Sequence, residues 1–457
     1  MRTNIDNMKG KTILIVGLGL SGRAAAQAML DLGAKVYVQD IRRESDFEPG
    51  LVAFFRGKSV GCFFGIEPYD MSLFDMIILS PGVSPELGFI ERGREAGAEI
   101  TGELEIAYRI SRGNFVAITG TNGKTTTTTL TGEIFKNSGR RTYVAGNIGT
   151  AVISAATTAD ENDWLVTETS SFQLETTRYF RPVVSAVLNI TPDHLNRHRT
   201  MEAYAGAKAK VFANQSGESY LVINDDDEIC RRLAETAGCR IARFSRLHEV
   251  ESGACLKNGR LTICDEGKSI DLCGADELLI IGDHNIENAL AAAAISYFAG
   301  IGPDVIGRTI KVFAGVEHRI EYCGTVDGVK YYNDSKGTNI DASLTAIRAL
   351  KKNIILIAGG DAKGQVFDTF IAQFGGAVKR MLVLGRDGKL ITDAADRNGF
   401  TDYEFCRDLP ECVRRAGQTA GEGDSVLLSP ACASWDMYDN YEQRGRHFKD
   451  CVALLSK

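Results

Sequence analysis

The sequence predicts an α/β protein of three domains whose sheets are mostly parallel. Its 457 residues allow about three domains at roughly 150 residues each. In three places an apolar run typical of a strand is followed at once by a glycine-rich turn, and these runs begin at Thr12, Phe115 and Asn353. Strand, tight turn and helix repeated in this way indicate layered α/β folds, in which ligands bind at the carboxyl ends of the strands.

The first segment predicts a nucleotide-binding unit. A strand over Thr12–Val16 leads into the turn GLGLSG at residues 17–22. A helix over Arg23–Leu32 and a second strand over Lys35–Gln39 follow, and Asp40 stands at the end of that strand. The same spacing is typical of enzymes that bind dinucleotides, so a nicotinamide oxidoreductase built on this loop is one alternative.

The second segment carries the strongest single motif, a phosphate loop. After the strand Phe115–Ile118, the chain reads GTNGKTT over residues 120–126. The glycines let backbone N–H groups converge on phosphate oxygens, and the N-terminus of the following helix adds partial positive charge. We expect Lys124 to reach the β- and γ-phosphates and the Thr125 hydroxyl to bind Mg²⁺. The alternative is a tight turn with a solvated lysine. The predicted ATP-binding residues here are Gly120, Thr121, Asn122, Gly123, Lys124, Thr125 and Thr126.

The charge balance predicts a metal ion beside this loop. The chain has a net charge of −7, and a like charge ~5 Å from a phosphate costs about 3 kcal/mol at an effective dielectric of ~20. A strand over Trp164–Glu168 ends in a carboxylate suited to a hard cation. A strand over Val183–Ile190 leads to His194 beside Asp193, which favours a functional histidine over a structural one. Composition alone makes Lys208 a solvated residue of a helix, and the same holds for Lys210.

Composition excludes several classes of protein. With 52 Lys and Arg against 59 Asp and Glu, a broad basic face for nucleic acid is not expected. None of the 11 cysteines forms a C-x-x-C pair, which argues against zinc ribbons and a secreted disulfide framework. Met1–Lys11 lacks the apolar core of a signal peptide, and the apolar run Ala289–Ala299 is far short of the ~20 residues of a membrane span. We therefore predict a cytoplasmic protein with reduced thiols and no membrane insertion.

Several motifs together resemble the Mur ligase family, which makes peptidoglycan precursors. Five of them lie at residues 119–126, 168–174, 191–195, 204–208 and 282–290. Two more, NDSKGTN at 333–339 and LSPACASWD at 428–436, are similar to the D-glutamate-adding branch of that family. The likeness covers nearly the whole chain.

The resemblance implies three domains and one reaction. We expect a Rossmann-like UDP-sugar-binding domain over residues 1–102, a central P-loop-type ATP-binding domain over 103–315 and a Rossmann-like amino-acid-binding domain over 316–457. The implied reaction is ATP-dependent ligation of D-glutamate to UDP-N-acetylmuramoyl-L-alanine through an acyl phosphate. A monomer is expected. A sister ligase that adds another amino acid is an alternative, as is a nucleotide-gated binding module that hydrolyses ATP slowly.

The resemblance also implies a metal site and its catalytic residues. Glu168 and His194 would hold Mg²⁺ together with Thr125, and two Mg²⁺ ions are expected. Lys208 would be carbamylated, which turns a cation that repels Mg²⁺ into a carboxylate-like ligand. The expected catalytic residues are Lys124, His194 and Lys208. The base that deprotonates the incoming amine stays open between carbamylated Lys208, phosphate and water.

The remaining implied residues surround the three substrates. Asn288, Arg319 and Asp334 would lie around the adenine, ribose and γ-phosphate of ATP, and closure of the third domain would bring in Arg319. The residues implied for the UDP-sugar are Gly19, Leu20, Ser21, Asp40, Ile41, Arg42, Ser80, Gly82 and Asn147. Those implied for D-glutamate are Lys336, Thr338, Lys363, Ser434 and Tyr441. For Trp435, Tyr438 and Tyr441, a helix face packed into the core is the alternative reading.

Overall fold

The computed structural model describes residues 8–455, which form two compact units. The first contains the described residues up to Glu277 together with Glu287–Lys311, and the second contains Leu278–Ile286 and the described residues from Val312 onward. Residues 1–7, where the predicted lack of a signal peptide partly falls, lie outside the described residues. Both units consist of helices around sheets that are mostly parallel, which confirms the α/β class.

The first unit begins with a sheet of five parallel strands in the order β3-β2-β1-β4-β5. Its strands are β1 Thr12–Val16, β2 Lys35–Asp40, β3 Gly61–Phe64, β4 Met76–Leu79 and β5 Glu99–Gly102. Its helices are α1 Leu20–Asp31, α2 Pro49–Gly57 and α3 Gly88–Glu95, with 3₁₀ turns at Glu44–Asp46 and Met71–Leu73. This strand order is the doubly wound Rossmann order without its sixth strand, and such sheets bind ligands at the carboxyl edge.

The same unit continues with a nine-stranded sheet in the order β14-β13-β12-β11-β10-β9-β6-β8-β7, in which only β12, β13 and β14 pair antiparallel. Its strands are β6 Asn114–Thr119, β7 Thr142–Gly146, β8 Trp164–Glu168, β9 Val184–Val187, β10 Tyr220–Asn224, β11 Arg240–Ser245, β12 Gly253–Lys257, β13 Arg260–Asp265 and β14 Lys268–Gly274. Its helices are α4 Glu103–Ile110, α5 Lys124–Asn137, α6 Val152–Ala156, α7 Ser171–Glu175, α8 Leu195–His198, α9 Met201–Ala209, α10 Glu228–Ala234, α11 Asp283–Phe298 and α12 Pro303–Val312, with a 3₁₀ turn at Ala275–Glu277.

The second unit is built on a six-stranded sheet in the order β15-β16-β20-β17-β18-β19, in which only β15 is antiparallel to its neighbour. Its strands are β15 Glu321–Val326, β16 Val329–Asn333, β17 Ile354–Gly359, β18 Val378–Leu384, β19 Tyr403–Phe405 and β20 Ser425–Leu428. Its further helices are α13 Ile340–Leu350, α14 Asp368–Ala372, α15 Gly388–Arg397, α16 Leu409–Thr419 and α17 Tyr441–Leu455.

The hydrophobic core explains why the first two sheets form one unit. A single cluster of buried apolar side chains includes Ile13 and Ile15 of β1, Val152 and Ile153 of α6, and Phe115 of β6. Helices α1 and α6 pack against each other within it. Removal of apolar surface from water stabilises contacts of this kind. The N-terminal and central sheets are therefore held together by a shared core.

Two predicted elements differ from the observed ones by more than one residue at one end. The predicted strand Val183–Ile190 is wrong in length, because β9 ends at Val187 and the chain then turns to meet the phosphate loop through Thr121 N–H and the carbonyl of Asn189, 2.9 Å apart. His194 therefore does not end a strand. The predicted helix at Arg23 begins earlier, at Leu20, because Gly19 is its extended N-cap residue.

All eleven cysteines lie within the described residues and none of them is paired in a disulfide. The alanine-rich run lies in α11, and within residues 8–455 no helix combines the length and the apolar character needed to span a membrane.

Candidate functional site

The phosphate loop joins β6 to α5 in the first unit. Gly120 and Gly123 have φ angles of +150° and +83°, a region that favours glycine. A Cβ on Gly123 would lie 2.3 Å from Oδ1 of Asn288, which also accepts a hydrogen bond from Thr127 Oγ1 at 3.2 Å. The structure thus places Asn288 directly against the predicted ATP loop. Thr125 and Thr126 are buried in the first turn of α5.

Two lysines meet at this loop. Lys124 Nζ donates hydrogen bonds to the carbonyls of Gly120 and Thr121, at 2.9 and 2.8 Å. Lys208 Nζ donates to the same Gly120 carbonyl at 2.7 Å. Two basic side chains therefore converge on one carbonyl of the predicted phosphate loop.

Lys208 is buried, so the composition-based expectation of a solvated lysine is wrong. Its side chain is 2% exposed and its Nζ lies 4.6 Å from the ring centroid of Tyr204. Burial, and then the charge of Lys124, lower the pKa of Lys208 to about 7. Lys210 is not a solvated residue either, since its Nζ donates to the carbonyl of Glu175. Lys208 lies in the last turn of helix α9 and Lys210 is its C-cap residue, so only packing decides which of these side chains is covered.

Glu168 ends β8 near the same loop and offers a free carboxylate oxygen. Its Oε1 accepts a hydrogen bond from Asn147 Nδ2 at 2.9 Å, while Oε2 is buried with no hydrogen-bond partner among the described residues. An unpaired buried carboxylate oxygen is costly unless a cation or water satisfies it. Carboxylate oxygens are ligands that Mg²⁺ prefers, so the residues present fit the implied metal. Asn147, predicted to contact the UDP-sugar, donates to this implied metal ligand, and its contact with the UDP-sugar stays a prediction.

His194 caps the short helix α8 in the left-handed region, at φ +52°. Its side chain is about half exposed, and its ring centroid lies 4.8 Å from that of Phe172. Neighbouring His198 is buried and lies 2.9 Å from Ser171 Oγ through Nε2. His198 is thus the structural histidine of the pair, whereas His194 keeps a side chain that a ligand can reach.

Within residues 8–455 no group of three or more His, Cys, Asp and Glu side chains is arranged to hold a metal ion. Glu168 and His194 alone supply at most two ligands of these types. A metal site here would therefore need the Thr125 hydroxyl, the modified Lys208 or substrate oxygens as well. The metal assignment stays a prediction.

The first glycine loop is shaped by close backbone contacts. A Cβ on Gly22 would lie 1.8 Å from the carbonyl oxygen of Gly17, so only glycine fits there. Ser80 Oγ donates to that same carbonyl at 2.7 Å, which ties the loop after β4 to the loop after β1. The predicted UDP-sugar residues at Gly19 and Ser80 therefore share the carboxyl edge of the N-terminal sheet.

Asp40 is buried and its carboxylate is hydrogen-bonded to neighbouring groups. Its carboxylate accepts from the side chain of Arg42 at 3.0 and 2.9 Å and from the backbone N–H of Leu18 at 2.7 Å. Burial alone would raise its pKa, but the hydrogen bonds from Arg42 and the two backbone N–H groups hold it below the usual range. Beside this pair, Leu20 and Ile41 are 64% and 89% exposed, which leaves apolar surface for a flat base.

In the second unit, the residues predicted for D-glutamate lie on three adjacent loops. Strands β16, β20 and β17 are parallel neighbours, and their carboxyl ends lead into the loops with Lys336, Ser434 and Lys363. Asp361 and Ala433 exchange two backbone hydrogen bonds, at 3.0 and 2.9 Å, which lock two of the loops together. The structure therefore places these predicted residues at one sheet edge.

Each of the two lysines of these loops lies against an aromatic ring. Lys336 Nζ is 5.7 Å from the ring centroid of Tyr441, and Lys363 Nζ is 4.5 Å from that of Trp435. Trp435 is 66% exposed, so its reading as a core residue is wrong, while Tyr438 packs partly buried against the core. Exposed aromatic surface beside cations is suited to recognition.

Asp334 and Arg319, both predicted for ATP, belong to the second unit. Asp334 is buried and accepts from Ser429 Oγ at 2.6 Å. Burial raises its pKa to about 7, against the opposing effect of the Ser429 hydrogen bond and the Arg319 charge. A carboxyl group with this pKa titrates near neutral pH.

Sequence reasoning missed residues that organise these loops. Asn189 accepts from the N–H of Asn122 at 2.7 Å and donates to its carbonyl at 3.1 Å, while Tyr204 OH lies 3.1 Å from Thr121 Oγ1. In the second unit, buried Arg444 donates to Ser335 and to the Cys432 carbonyl. Tyr204 lies in the motif at residues 204–208 and Asn189 in the predicted strand Val183–Ile190, but nothing marks Arg444 within a highly charged helix.

One cavity of about 1060 Å³ lies away from the phosphate loop. Its lining includes Arg94, Glu99, Arg109, Arg178 and Tyr179 and contains none of the loop residues 120–126. Arg109 is already paired there with Glu99 and Glu105. Size alone therefore does not identify the active site of this chain.

Comparison with known proteins covers almost the whole length of the chain. The family model for the "Mur ligase MurD-like, N-terminal domain" matches residues 11–102, that for the "Mur ligase middle domain" matches 118–296, and that for the "Mur ligase, glutamate ligase domain" matches 318–432. Three models in this order agree with the three predicted kinds of domain.

Curated relatives and solved structures give the same result. The chain is 47% identical to the UDP-N-acetylmuramoylalanine--D-glutamate ligase of Thermoanaerobacter sp. (strain X514), over 98% of this chain and 100% of the relative. It is 44% identical to the enzyme of that name from Clostridioides difficile, over 98% and 100%. Its fold resembles UDP-N-acetylmuramate-alanine ligase of Thermotoga maritima, with a TM-score of 0.59 and 20% identity over 97% of this chain and 99% of that one.

Proposed function

The chain belongs to the Mur ligase family, and from that premise we propose that it joins D-glutamate to UDP-N-acetylmuramoyl-L-alanine at the expense of ATP. The substrates follow from the relatives named UDP-N-acetylmuramoylalanine--D-glutamate ligase, which are 42–47% identical to this chain over nearly its whole length. The chemistry is supported by one observation of the structure, the phosphate loop at which Lys124 and Lys208 meet.

The reaction needs an activated acid, because a carboxylate has no good leaving group. The carboxylate of the UDP-linked substrate attacks the γ-phosphorus of ATP, giving an acyl phosphate and ADP. Lys124 stabilises the charge that develops on the transferred phosphoryl group and on the leaving ADP. The amine of D-glutamate then attacks the acyl carbon, and inorganic phosphate leaves from the tetrahedral intermediate.

The implied magnesium would be held by Glu168, His194 and Thr125, with Lys208 as a carbamate. Bound there, it would supply neutralising charge for the phosphates. The unpaired Oε2 of Glu168 supports the first of these ligands. The lowered pKa of Lys208 supports its modification, since an amine with a pKa of about 7 is roughly half neutral at pH 7 and only the neutral amine reacts with carbon dioxide.

The loops of the second unit are suited to an amino acid with two carboxylates. Lys336 and Lys363 supply two cations, and Thr338 and Ser434 supply hydroxyls. The UDP moiety is assigned to the carboxyl edge of the N-terminal sheet, where Asp40 and Arg42 lie. These two binding assignments do not decide which group deprotonates the amine. That base stays open between carbamylated Lys208, phosphate and water.

Release of phosphate from ATP, measured against a panel of D- and L-amino acids with UDP-N-acetylmuramoyl-L-alanine present, tests this function. We expect D-glutamate to give the highest rate and Lys124→Ala to reduce that rate to background. Lys136→Ala is the matched control, because Lys136 lies on the same helix and pairs with Glu133 at the surface. Release that does not depend on the amino acid would instead indicate a slow ATPase module, and preference for another amino acid would indicate a sister ligase.

A further inference from the structure

The loop after β20 presents a tryptophan to solvent beside the proposed amino-acid site. Trp435 follows Ser434 directly, and its side chain is 66% exposed although Ser434 is 2% exposed. Large aromatic side chains usually bury most of their surface. An exposed indole that is fixed next to a binding residue therefore calls for a functional reason.

The indole faces an ammonium group. Lys363 Nζ lies 4.5 Å from the ring centroid of Trp435. Among the described residues 8–455, no carboxylate forms an ion pair with Lys363, and the nearby Asp361 pairs instead with Arg386 at 3.0 Å. The aromatic ring thus orients the ammonium group without neutralising its charge, which a carboxylate partner would do.

The backbone fixes this contact. Lys363 has a φ of +49°, and its N–H donates to Asp361 Oδ1 at 3.0 Å. The two backbone hydrogen bonds between Asp361 and Ala433 hold the loops of Lys363 and Trp435 in one relative position. The lysine therefore starts from a restricted set of conformations, which reduces the entropy lost when it binds an anion.

We propose that Trp435 is a positioning residue that holds Lys363 for a carboxylate of the incoming amino acid, and that it thereby sets the preference for a dicarboxylic substrate. This inference rests on the proposed function and adds a residue to it. Lys336 over Tyr441 is the second, weaker pair of the same kind, at 5.7 Å. Two oriented cations match the two carboxylates of the proposed substrate.

The contact can be tested without any substrate. The chain has two tryptophans, so Trp164→Phe leaves Trp435 as the sole indole emitter. In that background Lys363→Met removes the ammonium group and keeps an apolar stem. We expect a shifted emission maximum and stronger quenching by acrylamide. Identical emission and quenching in the two proteins would overturn the proposal.

The role in substrate use is tested by a double-mutant cycle on the KM for D-glutamate. Trp435→Leu is expected to raise KM roughly two- to fivefold with little change in kcat, and Trp435→Phe is expected to raise it less. In a Lys363→Met background, Trp435→Leu should add no further effect. If the two substitutions instead raise the KM for D-glutamate independently, so that their effects multiply, the proposal is overturned. If the wild-type protein does not use D-glutamate, that result contradicts the proposed function and not this inference. The fluorescence comparison still shows whether Lys363 contacts Trp435.

Discussion

At the scale of single residues, burial changes what a side chain can do. Lys208 differs from other lysines of the chain because it is almost completely buried beside Lys124, and this combination brings its pKa to about 7. Glu168 differs from surface glutamates because one of its oxygens is buried and unpaired among the described residues. The chemical properties that set these two residues apart therefore come from their surroundings and not from their residue type.

Replacement of Lys208 tests its proposed role as a carbamate. We expect Lys208→Ala to lower the rate of phosphate release roughly 100-fold or more, since a metal ligand is lost. Acetate or formate should restore part of that rate by occupying the empty position. Lys210→Ala, two residues away at the C-cap of α9, is the control and should show no response to added acid. Full activity of Lys208→Ala without acid would rule out the role.

At the scale of elements, helix α4 carries two buried glutamates with opposite surroundings. Glu103 accepts from the N–H of Ile153 at 2.6 Å, but its Oε2 has no partner among the described residues. Glu105 accepts from the N–H groups of three consecutive residues, 178 to 180, and pairs with Arg109 at 2.8 Å. One carboxylate is poorly satisfied and the other is fully satisfied.

This contrast predicts opposite effects of the same substitution. Burial raises the pKa of Glu103 from 4.5 to about 7, against the weaker effect of the backbone hydrogen bonds. Because the folded-state pKa is the higher one, ionisation of Glu103 destabilises the fold as pH rises from about 4.5 to about 7. At pH 8, Glu103→Gln should therefore raise the free energy of unfolding by on the order of 1–3 kcal/mol, and the gain should shrink toward pH 5.

Glu105→Gln should instead lower the free energy of unfolding, by about 3 kcal/mol, because it removes one of the carboxylates, Glu105 and Glu99, that pair with the buried Arg109. Urea denaturation of both variants at pH 5 and pH 8 measures these effects. Equal responses of the two variants would contradict the assignment.

At the scale of the whole molecule, the chain has two glycine-rich loops typical of nucleotide binding, and the ligand of the first one has two possible interpretations. The GLGLSG loop at residues 17–22 is compatible with a dinucleotide, but the carboxylate of Asp40 is already bound by Arg42 and by the N–H of Leu18. The relatives and family models cover the chain as a ligase from residue 11 to 432. We therefore predict that the first loop binds a UDP-linked substrate and not a nicotinamide cofactor.

Thermal unfolding distinguishes the two ligands. At 100 times its Kd, UDP-N-acetylmuramoyl-L-alanine should raise the free energy of unfolding by about 2.7 kcal/mol, which corresponds to a rise of about 4 °C in Tm. NADH should cause no rise. Lys124→Ala should keep the response to the UDP-linked substrate, because Lys124 belongs to the other loop. A response to NADH alone would favour an oxidoreductase.

Local sequence predicted several of the elements. Strands β1 and β8 begin and end where the apolar runs predict, because a short buried strand is bounded by residues that cannot continue it. The glycine loop at 120–126 was also predictable, since its conformation depends on residues that tolerate a positive φ. The family resemblance supplied the candidate residues for metal and substrates, and those roles stay predictions.

Only the tertiary structure decided which polar residues are buried and which aromatic residues are exposed. Neither the burial of Lys208 nor the exposure of Trp435 can be read from a periodic pattern, since each depends on loops that meet from distant parts of the chain. The roles of Asn189 and Arg444 cannot be read from such a pattern either. Each side chain binds backbone groups that are distant in sequence and that only the folded chain brings near. Composition and spacing fix local conformation, whereas solvation and charge at a site arise from packing.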